Sequence, residues 1–174
     1  PELGENIVVI GLGLVGLIAC QLLKTSGCNV IGIDLEKNKC ELANKLGIST
    51  INGSKSRTVD SVLELTQGFG ADGVIISASN NSDQIIANAA QMSRKRGRII
   101  LLGVIGLNLN RADFYEKELV FQVSCSYGPG RYDLDYEERG VDYPFSYVRW
   151  TEKRNFIAVL NSIKGRTLKV NELV

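Results

Sequence analysis

Gly11, Gly13 and Gly16 stand in the spacing Gly-x-Gly-x-x-Gly, and Asp34 follows Gly16 by 18 residues. Residue types in this order suit the capture of a dinucleotide. Gly11 allows a tight turn out of a strand. Gly13 lets backbone approach a pyrophosphate that a Cβ would obstruct, and Gly16 lets the following helix pack closely on the strand. The phosphates would lie on the free N–H groups of that helix, beside Leu14 and Val15. The Asp34 carboxylate would accept hydrogen bonds from both hydroxyls of an adenosine ribose. A carboxylate also repels a 2′-phosphate, which favours NAD over NADP. Lys37 and Lys39 are near enough to offset part of a phosphate's charge, but no arginine adjoins Asp34.

These residues act together only if a strand leads into the glycines, a helix follows, and a second strand ends at the acid. Ile7 to Ile10 is an unbroken apolar run, as a strand buried on both faces requires. Leu14, Val15, Leu17, Ile18, Leu22 and Leu23 recur at helical spacing, and Ser26-Gly27 closes that pattern. Asn29 to Ile33 is the second strand. Further on, helical spacing from Asn38 to Gly47 puts Leu42, Ala43 and Leu46 inward. Ile48 to Ile51 reads as a strand, and Val59 to Leu65 as a helix stopped by Gly68. Gly73 to Ser77 reads as a buried strand. Asn81 to Ala90 carries a capped helix, and Arg98 to Leu102 and Leu119 to Val123 are two more strands. The pattern βαβαβ followed by βαββ, with short crossovers, predicts an α/β doubly wound parallel sheet with helices on both faces. Its six strands take the Rossmann order 3-2-1-4-5-6, with the ligand crevice between the first and fourth. Ser77, Ala78 and Ser79 then border the adenosine side of the crevice. Gly103, Val104, Ile105 and Gly106 border the nicotinamide.

Composition narrows the chemistry. The 174 residues are 44% hydrophobic, enough for one domain with a sizeable core. Twenty basic and 19 acidic residues are well mixed, which makes no electrostatic case for nucleic acid. The longest apolar stretch, Ile7 to Cys20, is broken by three glycines and is too short to span a bilayer. Glu2 and Glu5, with no basic residue before the apolar run, argue against a secretion signal, so the cytoplasm is the expected setting. Cys20, Cys28, Cys40 and Cys125 lack metal-binding spacing and read as core thiols or small surface residues. With no histidine, the chain lacks the commonest general acid/base and the commonest zinc ligand. No zinc site is expected in it, and no catalytic residue.

Residues 125–150 hold five of the six tyrosines, with Arg131, Arg139, Arg149 and Trp150, and show no clear periodicity. Such a stretch reads either as a substrate- or partner-facing surface or as a self-packed loop. After Thr151 a helix is expected with Phe156, Val159, Leu160 and Ile163 inward, ending at Gly165. The tail 167–174 reads as a strand cut short.

Several segments together resemble the nucleotide-binding domain of the medium-chain dehydrogenase/reductase superfamily, the zinc-type alcohol dehydrogenases and their relatives. They are Gly4 to Gly16, Gly32-Ile-Asp34 with Lys39, Arg96-Gly97-Arg98 through Gly103, and Lys117-Glu118-Leu119. The resemblance implies that Asp34 and Lys39 hold the adenosine ribose and that Leu102-Gly103-Val104 passes beside the nicotinamide. Arg111 to Leu119, Ser124 to Tyr132 and Tyr147 to Thr151 are similar to bacterial bi-domain oxidoreductases. In those, such a dehydrogenase half is joined to a domain similar to the inositol dehydrogenase and glucose–fructose oxidoreductase family. That implies a sugar or nucleotide-sugar substrate.

Relatives of this kind carry an N-terminal catalytic domain that supplies the substrate cleft and any zinc ligands. The expectation is therefore one excised dinucleotide-binding domain over residues 1–174, inactive alone, with its catalytic domain missing. It would serve an NAD-dependent oxidoreductase acting on a small alcohol or carbonyl. Such relatives often pair through the sheet edge near Gly106 to Leu109, so the resemblance also implies a homodimer. Two other classes share the glycine turn and the acid: a nucleotide-sensing domain, as in potassium-uptake systems, and an S-adenosylmethionine methyltransferase.

Overall fold

A computed structural model describes residues 1–54 and 57–173. The chain divides into two compact units, Pro1–Val123 and Ser124–Glu172.

The first unit runs β1 (Asn6–Ile10), α1 (Leu14–Thr25), β2 (Asn29–Asp34), α2 (Lys37–Lys45), β3 (Ser49–Asn52), α3 (Thr58–Leu65), β4 (Ala71–Ile76), α4 (Gln84–Met92), β5 (Ser93–Leu101), α5 (Arg111–Tyr115) and β6 (Val120–Val123). The six strands form one sheet in the order β3-β2-β1-β4-β5-β6, and every pairing is parallel. The expected Rossmann sheet is thus observed.

Alternation along β1 explains why the sheet is covered twice. Ile7 and Val9 join a cluster with Leu17, Cys20 and Leu23 of α1 and Cys40 and Ala43 of α2. Val8 joins the opposite cluster with Val62 of α3 and Ile86, Ala89 and Ala90 of α4. A strand with apolar residues at every position can be buried on both faces only by helices on both faces. Burial raises the Cys20 thiol to about 12, so it behaves as a small hydrophobe. Cys28 and Cys40 are buried as well, while Cys125 is exposed.

Three residues from the segments that carry the family resemblance, Glu5, Arg98 and Lys117, hold the far, N-terminal end of the strands. Arg98 pairs with Glu5 at 2.6 Å, and Arg94 with Asp72 at 2.5 Å. Lys117 Nζ donates to the carbonyls of Ala90, Gln91 and Ser93 at 3.1, 2.6 and 2.8 Å, closing the C-terminal end of α4. β5 begins at Ser93, five residues before the strand the sequence suggests, and α5 is a short helix in addition to those the sequence suggests.

The second unit contains α6 (Leu134–Glu137) and α7 (Glu152–Lys164). Asp133 caps α6 by accepting from the amides of Asp135 and Tyr136, and it also accepts from the Tyr143 hydroxyl. Tyr136 stacks on Tyr143 with centroids 5.7 Å apart, and Arg131 lies over both Tyr127 and Tyr132. Four of the five tyrosines of the aperiodic stretch thus pack on Arg131 or on each other, while Arg139 pairs with Asp135 and Arg149 lies over Phe145 and Trp150. Two expectations fail here. Phe156 and Leu160 of α7 are 49% and 63% exposed rather than inward, because a unit this small offers little core to receive a helix. The tail forms no strand over residues 167–173, being irregular up to 170 and turn over 171–173, and Val174 lies outside the described residues. Among the described residues of this unit no strand offers a ladder partner. The amides of Thr167 and Leu168 turn back to the carbonyl of Ser162 instead.

Candidate functional site

The C-terminal ends of β1, β2, β4 and β5 bring the sequence-predicted residues to one edge of the sheet. At the end of β1 the chain turns at Gly11, whose φ of +95° suits a residue without Cβ. A Cβ there would also approach the Ala78 amide nitrogen to 2.7 Å. On Gly16 a Cβ would overlap the Gly11 carbonyl oxygen. These two glycines are demanded by packing.

Gly13 is different. It is the N-cap of α1, with an ordinary φ of −72° and no side-chain cap, and a Cβ there would meet nothing within 4 Å. Protein packing gives no reason for glycine at this position. The N-terminus of α1 therefore presents bare backbone, flanked by Leu14 and Val15, which are 55% and 58% exposed. Both share the helical spacing of the apolar residues but stand at the open edge. The inward residues are Leu17, Cys20 and Leu23.

Asp34 closes β2. Its Oδ2 accepts from the Leu12 amide at 2.7 Å and its Oδ1 from the Glu36 amide at 2.9 Å. Each oxygen keeps a lone pair for a further donor. Lys39 approaches from α2 and is held by Glu36 at 2.7 Å. That hydrogen bond raises the Lys39 pKa, burial partly opposes it, and the Asp34 charge adds to it. Lys37 pairs with Glu41 at 3.0 Å. Both lysines near Asp34 thus already have carboxylate partners.

Ser77 and Ala78 follow β4. The Ser77 hydroxyl donates to the Gly11 carbonyl at 2.6 Å, and the amides of Ser77 and Ala78 both donate to the Ile10 carbonyl. Gly103 follows β5, and a Cβ on it would overlap the Ala78 carbonyl oxygen. Gly11, Ala78 and Gly103 therefore converge. Beyond them Val104 is 73% exposed, while Ile105, expected beside it on the crevice, turns into the core at 8%.

Sequence reasoning missed Asp83. It occupies the N-cap position of α4, yet makes no cap bond. Its Oδ1 instead accepts from the Asn108 amide at 2.9 Å and so braces the loop after Gly103. An acid before a helix looks like a cap in sequence, and only the fold reveals the loop beside it. A hollow of about 490 Å³ lined by Asn29, Gly47, Thr66 and Gln67 opens at the other end of the strands and includes none of the converging residues.

The family described as zinc-binding dehydrogenase matches residues 15–140. The NAD-dependent alcohol dehydrogenase of Sulfurisphaera tokodaii is 34% identical over 60% of this chain and 30% of its own length. The D-guloside 3-dehydrogenase of Escherichia coli K12 is 32% identical over 88% of this chain and 41% of its own length. The chain thus spans well under half of these curated relatives. Among solved structures, alcohol dehydrogenase TADH of Thermus sp. ATN1 is 28% identical, with a TM-score of 0.64 over 71% of this chain and 36% of that one. A quinone oxidoreductase of Pseudomonas syringae, 20% identical, shares the fold with a TM-score of 0.75 over 97% of this chain and 48% of that one.

Proposed function

This chain belongs to the zinc-binding dehydrogenase family, and we propose that it is the NAD-binding part of an alcohol dehydrogenase-like oxidoreductase. The observation that carries this reading is Gly13, a glycine at a helix N-terminus that no atom of the described residues requires. Bare backbone there suits the approach of a pyrophosphate, with the α1 amides as donors.

The remaining residues take their roles around that point. Gly11 and Gly16 shape the turn, and Leu14 and Val15 shield the phosphates. Asp34 accepts from the adenosine ribose, with Lys39 beside it. Ser77 and Ala78 border the adenosine side of the crevice, and Gly103 and Val104 the nicotinamide side. NAD is favoured over NADP because Asp34 repels a 2′-phosphate and the two nearby lysines are neutralised by Glu36 and Glu41. When bound, the nicotinamide gives or takes the hydride exchanged with an alcohol or carbonyl carbon. The chain's own contribution is binding and orientation.

The substrate class is a sugar or nucleotide-sugar, a reading supported by the D-guloside 3-dehydrogenase likeness over most of the chain. The residues present do not fit zinc. The chain has no histidine, and among the described residues no group of three or more Cys, Asp or Glu could hold a metal ion. A catalytic domain outside residues 1–174 belongs to this reading, and so does a homodimer through the edge where Leu107 and Leu109 are exposed. A cytoplasmic setting suits three buried free thiols, and among the described residues no helix is long and apolar enough to cross a membrane. The dehydrogenase family match favours this reading over a nucleotide sensor or a methyltransferase.

Calorimetry with NAD, NADP, ATP and S-adenosylmethionine tests it. NAD is expected to bind tightest. Preference for ATP or S-adenosylmethionine would overturn the proposal.

A further inference from the structure

One peptide group, the C=O of Gly11 and the N–H of Leu12, is gripped from both sides. Its oxygen accepts from the Ser77 hydroxyl at 2.6 Å, and its N–H donates to Asp34 Oδ2 at 2.7 Å. The three residues come from the ends of three adjacent strands, β4, β1 and β2. Ser77 is half-buried, and its hydroxyl also lies 3.2 Å from the Ile10 carbonyl. Both of its acceptors are therefore backbone oxygens at the turn out of β1.

We propose that Ser77 is a positioning residue for ribose recognition, acting on Asp34 through the 11–12 peptide rather than touching the cofactor. This rests on the NAD-binding reading and deepens it.

The physical reasoning is short. A peptide is planar, so fixing its C=O direction fixes its N–H direction. The Leu12 N–H then holds one carboxylate oxygen of Asp34 while the Glu36 amide holds the other. Two bonds to separate oxygens set the plane of the carboxylate and leave its free lone pairs facing out from the tip of β2. With Ser77 removed, the Gly11 carbonyl loses its side-chain donor. The glycine at φ +95° then has freedom to rotate. Rotation of the peptide takes the Leu12 N–H off Asp34, and the carboxylate turns with it. Polarisation along the hydroxyl–peptide–carboxylate chain adds to the same preference.

The test is a double-mutant cycle on this chain, read by calorimetry with NAD. Ser77→Ala is expected to weaken NAD binding about tenfold, the size of one lost hydrogen bond. In an Asp34→Asn background the same change is expected to cost less than about threefold, because the relay then ends on an altered group. The Leu12 amide is expected to exchange with deuterium faster in Ser77→Ala, while the core amides of β1 keep their protection. Ser77→Thr, which retains the hydroxyl, is expected to bind within about threefold of the unaltered chain. If Ser77→Ala does not fold, the threonine variant carries the test, and a folded threonine variant that has lost tenfold in affinity counts against the proposal. Unchanged affinity in Ser77→Ala overturns it, and so does an equal loss in both backgrounds, which is what a general loosening of the fold would give. Failure of the unaltered chain to bind NAD would overturn the NAD-binding reading itself, and this inference with it.

Discussion

The Leu12 amide donates to Asp34 Oδ2 across 2.7 Å, tying the glycine turn after β1 to the tip of β2. The acid proposed to hold the ribose is thus also part of the scaffold that shapes the glycine turn. Asp34→Asn keeps one acceptor oxygen but sets an NH₂ group against a backbone N–H. The expected result is at least tenfold weaker NAD binding and a narrower gap between NAD and NADP. Calorimetry with both dinucleotides checks it.

Gly13, the proposed pyrophosphate contact, and Gly16, a packing glycine, can be told apart by experiment. Gly13→Ala overlaps nothing, so its melting temperature should stay close to the parent's, with the N-cap change costing about 1 kcal/mol or less. Its NAD affinity should fall sharply. Gly16→Ala meets the Gly11 carbonyl oxygen and should destabilise by about 1–3 kcal/mol or more. Urea melts beside NAD titrations compare the two. Equal affinity in Gly13→Ala and the parent would remove the pyrophosphate role.

The chain should lose stability in acid through two ion pairs at the far end of the strands. The Arg98 guanidinium holds Glu5 below its ordinary 4.5. Burial pushes Asp72 up, but Arg94 and the Asn6 amide outweigh it and hold it below 3.8. A carboxylate with a depressed folded pKa stabilises fully above its unfolded value and loses that contribution as pH falls through the folded value. Melting temperature should therefore change little between about pH 7 and 5, then drop below about pH 4. Glu5→Gln should lower the neutral-pH plateau and flatten the drop.

Lys117 donates to three carbonyls at the end of α4, and burial lowers its pKa. Lys117→Met keeps the aliphatic stem and strands those carbonyls. A loss of about 1–3 kcal/mol in urea denaturation is expected, with NAD affinity unchanged, because the site is at the opposite end of the strands.

No turnover is expected from these 174 residues with NAD and a panel of sugars and simple alcohols. Absorbance at the reduced nicotinamide band would follow it. Measurable dehydrogenase activity would show that a catalytic group lies within the chain.

The Rossmann sheet was legible because its signals are local. Ile7 to Ile10 must be buried on both faces, the glycines break the chain at one point, and Leu17 and Leu23 recur at helical spacing. The second unit was less legible. Phe156 and Leu160 look inward by period, yet a period names a face of a helix and not what covers it. The tail failed for a related reason, since a strand depends on a neighbour that the sequence cannot supply locally.

By itself the sequence determined the strand order, the glycine turn and the acid that follows it, because these depend on residue size and spacing along the chain. Only the tertiary structure decided which atoms enforce those glycines: a Cβ would strike Ala78 from Gly11 and the Gly11 carbonyl from Gly16, and would meet none of the described residues from Gly13. It also revealed that the Ser77 hydroxyl and the Asp34 carboxylate share one peptide group. Those facts arise where the ends of β1, β2 and β4 meet, and close approach between distant segments is fixed by how layers pack, not by any local run of residues.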